Sequence, residues 1–493
     1  MSTSLPEMTD LHRARYQDVG LLLGPLIFLI MMLLGNSQTT MEPAAWRVAA
    51  VGMWMAVWWA TEAVPVPVTA FLPIVTFPFL GISSLAEATS AYANPIIYLF
   101  LGAFILALAV ERWDLHKRIA LSILSYTGTD GRRLIGGFMV VAALLSMWMT
   151  NTSTTMMLMP IALSVAKVIA DNNTHLNPKQ TKAFQAAMLL GLAYAATIGG
   201  LATLVGTPPN ALLAAFLSEN YDIKITFASW MLVGVPVMLC MLPLAWYSLT
   251  RWSFKIDIPA NPAVNQHLNK LRNELGDMTR AEKRVAVVFS LVVLFWIARR
   301  PISALLGIDF LTDTGIVMTA AMLLFLLPSG DKSQPQIMIW HDVNRLPWGV
   351  LILFGGGLSL AAAVSSTGLA TWLGGHLTYL DAFGIFALVI AATGLVIFLT
   401  ELTSNVATAA TFLPVVAAVA IELGVSPLLL CVPITLAASC AFMLPVATPP
   451  NAIVFASGVL NIPQMIRAGL ILNIIGMILL SIVAVWLAPW VFS

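Results

Sequence analysis

Two short polar motifs each occur twice in an otherwise apolar chain. Thr150-Asn151-Thr152-Ser153-Thr154-Thr155 runs on to Pro160, and Ser404-Asn405-Val406-Ala407-Thr408-Ala409 runs on to Pro414, with Asn151 and Asn405 254 positions apart. A second pair follows: Gly206-Thr207-Pro208-Pro209-Asn210-Ala211 and Ala447-Thr448-Pro449-Pro450-Asn451-Ala452, 241 apart. The hydroxyl and amide oxygens of Ser146, Asn151, Thr400 and Asn405 are hard ligands suited to a small cation. The asparagine NH₂ and threonine OH can also donate to an anion. Proline lacks an N–H and breaks a helix, so each Pro-Pro segment frees backbone carbonyls and exposes a half-helix N-terminus. Unwound carbonyls can hold Na⁺, and positive helix ends can hold a carboxylate. No Lys or Arg falls at these motifs. An anion here would rely on dipoles, neutral donors and co-bound cations, which favours coupling. The competing reading is that Asn and Thr only cap helices across a packed interface. Four motifs in two symmetric sets favour a functional site.

The elements that carry these motifs follow from composition. The chain has 493 residues, is 59% hydrophobic and 10% charged, and has a mean hydropathy of +0.90. That describes a polytopic, multi-pass membrane protein embedded in a lipid bilayer. A net charge of +1 gives no sign of nucleic-acid binding. The first 18 residues are polar and read as no removable signal; the first apolar segment reads as a span. Apolar windows give eleven transmembrane helices, near 19–35, 45–62, 66–81, 94–116, 185–217, 229–250, 284–299, 311–328, 348–372, 428–458 and 466–490. Two further stretches, 134–170 and 383–421, are too long for one span and polar in the middle, where the first motif pair sits.

Basic residues orient the chain. Arg13 and Arg15 put the N-terminus in the cytoplasm, and eleven spans then put the C-terminus outside. Of the 24 Lys and Arg residues, only Arg47, Lys224, Arg299 and Arg300 fall outside. Arg132 and Arg133 precede the first long stretch and Lys167, Lys179 and Lys182 follow it, so both ends want the cytoplasm. It reads as a re-entrant helical hairpin with Asn151 at its tip. The second stretch lies between Arg345 and Arg467 with no basic residue, and fits a hairpin entering from outside with Asn405 at its tip. Two ordinary kinked spans are the alternative.

The offset of 254 extends beyond the motifs. Leu99-Phe100-Leu101-Gly102 aligns with Leu353-Phe354-Gly355-Gly356, and Ala109-Val110 with Ala363-Val364. Five spans per unit, an odd number, put the copies in opposite orientations. This is the inverted structural repeat of secondary transporters, with the site between copies near the midplane.

Other residues carry weaker signals. Glu401 is an ionisable group beside the second tip, read as a structural cap or hydrogen-bond partner ahead of a proton or cation site. Thr61-Glu62 reads as a solvated or capping pair. Cys240, Cys431 and Cys440 read as small core residues, and the six histidines fall in or near loops without metal-type spacing. Most of the 15 tryptophans read as interfacial or packing residues. The polar stretch from Asn261 to Arg284 reads as a cytoplasmic surface helix joining the copies.

With these residues in place, the chain resembles the divalent anion:sodium symporter (DASS) family of bacterial di- and tricarboxylate transporters, over about Leu21 to Phe492. Thr150-Asn151-Thr152 and Ser404-Asn405-Val406 are similar to the family's Ser-Asn-Thr tips. Trp59-Ala60-Thr61-Glu62-Ala63-Val64-Pro65, Glu111 to Arg118, Leu311-Thr312-Asp313-Thr314-Gly315 and Ala447 to Ala452 resemble further family signatures. The resemblance implies an all-α, elevator-type transporter working as a homodimer. Each protomer would hold a scaffold (1–133, then 251–382 with the linker helix) and a moving transport domain (134–250 and 383–493). It implies two or more Na⁺ sites: one at Ser146, Thr150, Asn151 and the Gly199 carbonyl, another at Thr400, Thr403, Asn405 and Ala447. Substrate carboxylates would meet Asn151, Thr152, Asn405, Val406, Thr448 and Pro449.

Two positions depart from the family pattern. Thr150 replaces Ser and keeps the hydroxyl; Val406 replaces Thr and removes a donor. The expected function is Na⁺-coupled symport of C4-dicarboxylates such as succinate, malate or fumarate across the bacterial inner membrane. The alternatives are dicarboxylate exchange, and Na⁺-coupled tricarboxylate or sulfate transport on the same fold. A channel, which also uses half-helices, fits the paired ligand sets less well. An enzyme is not expected: the chain has no nucleophile elbow, zinc motif or cofactor loop.

Overall fold

The computed structural model describes residues 14–35, 37, 40–172, 177–307, 310–376 and 384–492. Arg13 of the N-terminal basic pair, and the first residue of the 383–421 stretch, lie outside them; Arg15 opens the first helix. Among the described residues the protein is all-helical; the single β-bridge joins Pro328 and Gln336. The first half runs α1 (Arg15–Leu34), α2 (Pro43–Thr61), α3 (Val66–Thr69), α4 (Leu72–Phe79), α5 (Leu85–Ser90), α6 (Pro95–Arg112), α7 (Leu115–Leu124), α8 (Gly131–Ser146), α9 (Asn151–Asn172), α10 (Pro178–Gly200), α11 (Pro208–Tyr221) and α12 (Phe227–Tyr247). A surface helix, α13 (Pro262–Glu274), leads into the second half. There follow α14 (Arg280–Ile297), α15 (Arg299–Leu306), α16 (Asp313–Leu326), α17 (Trp348–Ser366), α18 (Leu369–His376), α19 (Ile385–Thr400), α20 (Asn405–Glu422), α21 (Leu428–Ser439), α22 (Pro449–Phe455), α23 (Ile462–Ile482) and α24 (Ala488–Phe492).

Eight helical segments in the described residues are long and apolar enough to cross a bilayer, or nine if α14 and α15, bent by 80°, form one span. Several expected spans are therefore shorter or interrupted. The 66–81 window is two short helices, because Pro73, in the first turn of the second, has no N–H to continue the ladder of the first. The 94–116 window ends at Arg112, where Asp114 takes a left-handed conformation (φ 55°). Between α14 and α15 the chain turns at Ala298, just before the adjacent cations Arg299 and Arg300.

Burial sorts the helices by role. In α1 only 11% of the apolar window is buried, and Leu22, Leu26 and Leu33 face outward, as suits a lipid-facing helix. In α10 the figure is 89%. It begins at an Asn177–Gln180 capping box with Pro178 in its first turn. Its small residues, Gly191, Ala193, Ala195, Ala196, Gly199 and Gly200, let α8 and α9 pack against it. The long stretches thus become α8–break–α9 and α19–break–α20, with Met147 to Thr150 and Glu401 to Ser404 as the breaks. Cys431 and Cys440 are buried as expected, whereas Cys240 is exposed because it lies on the outer face of α12. His116, expected near a loop, is buried at the start of α7, with Nδ1 3.2 Å from the Val110 carbonyl.

Candidate cation and carboxylate site

Each tip is closed by one matched hydrogen bond. Ser146 Oγ donates to Asn151 Oδ1 at 2.6 Å, and Thr400 Oγ1 donates to Asn405 Oδ1 at 3.0 Å. Donor and acceptor are five residues apart in both, so each hydroxyl spans its break and fixes its asparagine. The other tip hydroxyls differ. Thr150 Oγ1 pairs with Ser153, 3.0 Å away, and accepts from its N–H. Thr403 Oγ1 donates to the Leu399 carbonyl and lies 2.7 Å from Thr408 Oγ1.

The Pro-Pro segments do interrupt helices, at Leu201–Thr207 and Cys440–Thr448. In each, the motif asparagine gathers the freed carbonyls. Asn210 Nδ2 donates to the carbonyls of Gly200, Leu201 and Thr203, and Asn451 Nδ2 to those of Ala441 and Leu444. Both pairs keep the 241 offset. Among the described residues, the fully buried Oδ1 atoms of Asn210 and Asn451 are alike in having no hydrogen-bond partner. Thr448 caps α22, accepting from the Asn451 N–H at 3.3 Å.

Tips and breaks meet. Asn151 lies against the first break: a Cβ at Gly200 would sit 2.6 Å from Asn151 Oδ1. Thr400 Oγ1 also donates to the Ala438 carbonyl, just ahead of the second break, at 2.8 Å. The halves touch where Thr207 Oγ1 lies 3.4 Å from Ser439 Oγ, and where the Tyr194 and Phe442 rings approach to 5.2 Å. Gly199 is pinned between helices, since a Cβ there would be 2.3 Å from the Ala143 carbonyl. Ala447 is buried at the second break. Thr152 and Val406 sit in the first turn after their tips, and Pro449 in the first turn of α22; among the described residues none makes a side-chain hydrogen bond with another site residue.

Glu401 takes the structural role. Its carboxylate accepts from the backbone N–H groups of Phe442, Met443 and Leu444 and from Asn473 Nδ2, at 2.7 to 3.1 Å. Sequence reasoning missed Asn473, whose only signal was an amide inside an apolar helix. It also missed Thr203, whose hydroxyl donates to the Met147 carbonyl at 2.5 Å and accepts from the Gly206 N–H. A third unforeseen contact is an aromatic stack at the first tip: Trp148 lies 5.9 Å from Phe227 and 6.4 Å from Trp296, and Phe227 4.1 Å from Trp296, all near parallel. The carboxylate of Asp313 holds this stack, accepting from the Phe227 N–H at 2.9 Å and pairing with Arg299 at 3.3 Å.

The repeat also reaches further than the motifs indicate. Gly234 of α12 lies against the Leu201 carbonyl and Gly469 of α23 against the Phe442 carbonyl, each with room for no Cβ. Both helices end in a π-helical turn, Ser248–Ser253 and Val483–Leu487.

Comparison with known proteins identifies the family. Residues 17–493 match the family described as the sodium:sulfate symporter transmembrane region. A protein of Staphylococcus saprophyticus named sodium-dependent dicarboxylate transporter SdcS is 40% identical over 96% of this chain and 92% of its own. The protein of the same name from Staphylococcus aureus (strain USA300) is 41% identical over 97% and 92%. Among solved structures, the Alcanivorax borkumensis YdaH transporter aligns with a TM-score of 0.55 at 13% identity, over 97% of this chain and 99% of its own. Neisseria gonorrhoeae MtrF aligns with a TM-score of 0.54 at 13% identity, over 84% of each chain. At that identity the two structures speak for the fold alone. The relatives are transporters, which sets the enzyme reading aside, and the chain belongs to the divalent anion:sodium symporter family of multi-pass membrane proteins.

Proposed function

We propose that this protein is a Na⁺-coupled symporter of C4-dicarboxylates such as succinate, malate or fumarate. The observation that carries the reading is the matched pair of closed tips, Ser146–Asn151 and Thr400–Asn405, each beside a broken helix whose carbonyls are freed. The names of the SdcS relatives supply the substrate class. Ser146, Thr150, Asn151 and the Gly199 carbonyl would hold one Na⁺, and Thr400, Thr403, Asn405 and Ala447 another. Between them, Asn151, Thr152 and Asn405 would donate to the two carboxylates, with the α22 N-terminus at Thr448 and Pro449 adding its dipole. Val406 would shape the pocket without donating. Neutral donors and co-bound cations compensate the substrate charge, so Na⁺ and dicarboxylate bind together and move together.

In this reading, eleven spans and two hairpins of opposite entry form the inverted repeat, with the N-terminus cytoplasmic and the C-terminus outside. The transport domain (134–250 and 383–493) moves elevator-like against the scaffold (1–133 and 251–382) in a homodimer of the bacterial inner membrane. The test is radiolabelled succinate uptake into proteoliposomes with and without an inward Na⁺ gradient. Symport predicts uptake that saturates and requires Na⁺. Uptake indifferent to Na⁺ but dependent on internal dicarboxylate would replace symport with exchange on the same fold.

A further inference from the structure

At the start of α10, away from both tips, that helix and the segment after α12 line an open cavity of about 240 Å³. Its lining includes Asn177, Lys179, Gln180, Lys255 and Asp257. At roughly 30 Å³ per water it has room for about eight waters, enough for a phosphate group with part of its hydration. Among the described residues neither Lys179 nor Lys255 has an ion-pair partner; Asp257 pairs with Arg132, 3.7 Å away. The wall is rigid. Arg132 Nε donates to the Ile256 carbonyl at 2.5 Å, the Gly131 N–H to the Ile258 carbonyl at 3.0 Å, and the Ile256 N–H to the Thr250 carbonyl at 2.9 Å. Lys255 itself is held at φ 47°, a left-handed conformation a lysine rarely adopts. A strained residue persists where its surroundings over-determine it.

The same edge carries interfacial aromatics. Tyr247 and Trp252 are exposed and pack edge to face 5.3 Å apart, and Trp246 ties α12 to the Arg132 carbonyl. Exposed Tyr and Trp at a helix end mark headgroup depth, and Arg251 and Lys182, both exposed, add positive charge there. A pocket with two lysines, between a helix start and a loop at that depth, suits a lipid phosphate.

We propose that this cavity holds the phosphate of an anionic phospholipid, with Lys179 and Lys255 as its two cationic contacts. The site stands apart from the tips and is independent of which anion the protein carries.

The purified full-length protein is titrated with phosphatidylglycerol, with phosphatidylcholine or with inorganic phosphate, and thermal unfolding is followed at one scan rate. Phosphatidylglycerol raises the unfolding midpoint of the wild type and phosphatidylcholine does not. The double variant K179Q/K255Q loses about half of that rise or more, whereas K270Q, on exposed surface helix α13, keeps it. Protection by inorganic phosphate equal to that by phosphatidylglycerol would overturn the lipid assignment in favour of a free anion. An unchanged response of K179Q/K255Q, with its lipid-free midpoint as in the wild type, would overturn the site itself.

Discussion

The two helix breaks do the same job with different chemistry. The first is built on glycine: Gly199, Gly200 and Gly206 admit backbone against backbone, and Thr203 ties the loop to the tip through the Met147 carbonyl. The second has Cys440, Ala441 and Ala447 at those positions, and there Glu401 gathers three consecutive N–H groups and Asn473. The matching position to Glu401 is Met147, whose side chain has no such role. The tips differ likewise. Trp148 is stacked between helices, while its counterpart Leu402 is 68% exposed. Both breaks are approached closely by a glycine of a neighbouring helix, Gly234 at the first and Gly469 at the second. Within the break itself, the first relies on missing Cβ atoms and the second on one ionisable residue.

The largest effect tests what the halves share. Asn151→Ala and Asn405→Ala each remove the amide that closes a tip, and uptake in each falls below about 1% of wild type with membrane insertion intact, a loss of ~3 kcal/mol in transition-state stabilisation. Substantial uptake in either variant would make the tips unequal partners. Glu401→Gln separates the breaks: a Gln amide turns one acceptor into a donor facing other donors, which costs about 2–4 kcal/mol. It appears as a lowered unfolding midpoint, while Met147→Leu, which conserves volume, costs under ~1.5 kcal/mol.

The next comparison runs the other way. Gly199→Ala forces α8 and α10 apart, at about 1–3 kcal/mol, and weakens the Na⁺ dependence of uptake. Its counterpart Cys440→Ala loses a buried sulfur and costs only ~1 kcal/mol. Equal penalties would erase the distinction between a packed and a bridged break. The smallest effect is on selectivity. Val406→Thr restores the second tip's hydroxyl and lowers KM for dicarboxylate by less than about tenfold. An unchanged KM would remove the second tip from the carboxylate contacts.

Much of this was legible because it is local. The tips at Asn151 and Asn405, the breaks at the Pro-Pro segments and the 254 and 241 offsets are properties of short windows, and the matched hydrogen bonds fall where those windows place them. The structural role of Glu401 was the favoured reading, but not its partners: Asn473 lies 72 residues away and the Phe442 N–H 41, and no periodicity encodes such a pairing. The glycines of α12 and α23 were invisible for the same reason, since Gly234 and Gly469 matter only through the backbone they face. Span counting overshot length because apolarity persists through prolines, so the 66–81 window read as one helix.

The stack at the first tip gives the molecule its own optical gauge. The Trp148 and Trp296 rings lie within 9° of parallel at 6.4 Å, close enough for their ring transitions to couple. One indole belongs to the tip beside Asn151 and the other to α14. Any displacement of the tip relative to α14 separates the pair, and near-ultraviolet circular dichroism registers it without an attached probe. Phe substituted for either indole abolishes that component, which assigns the signal to a single contact.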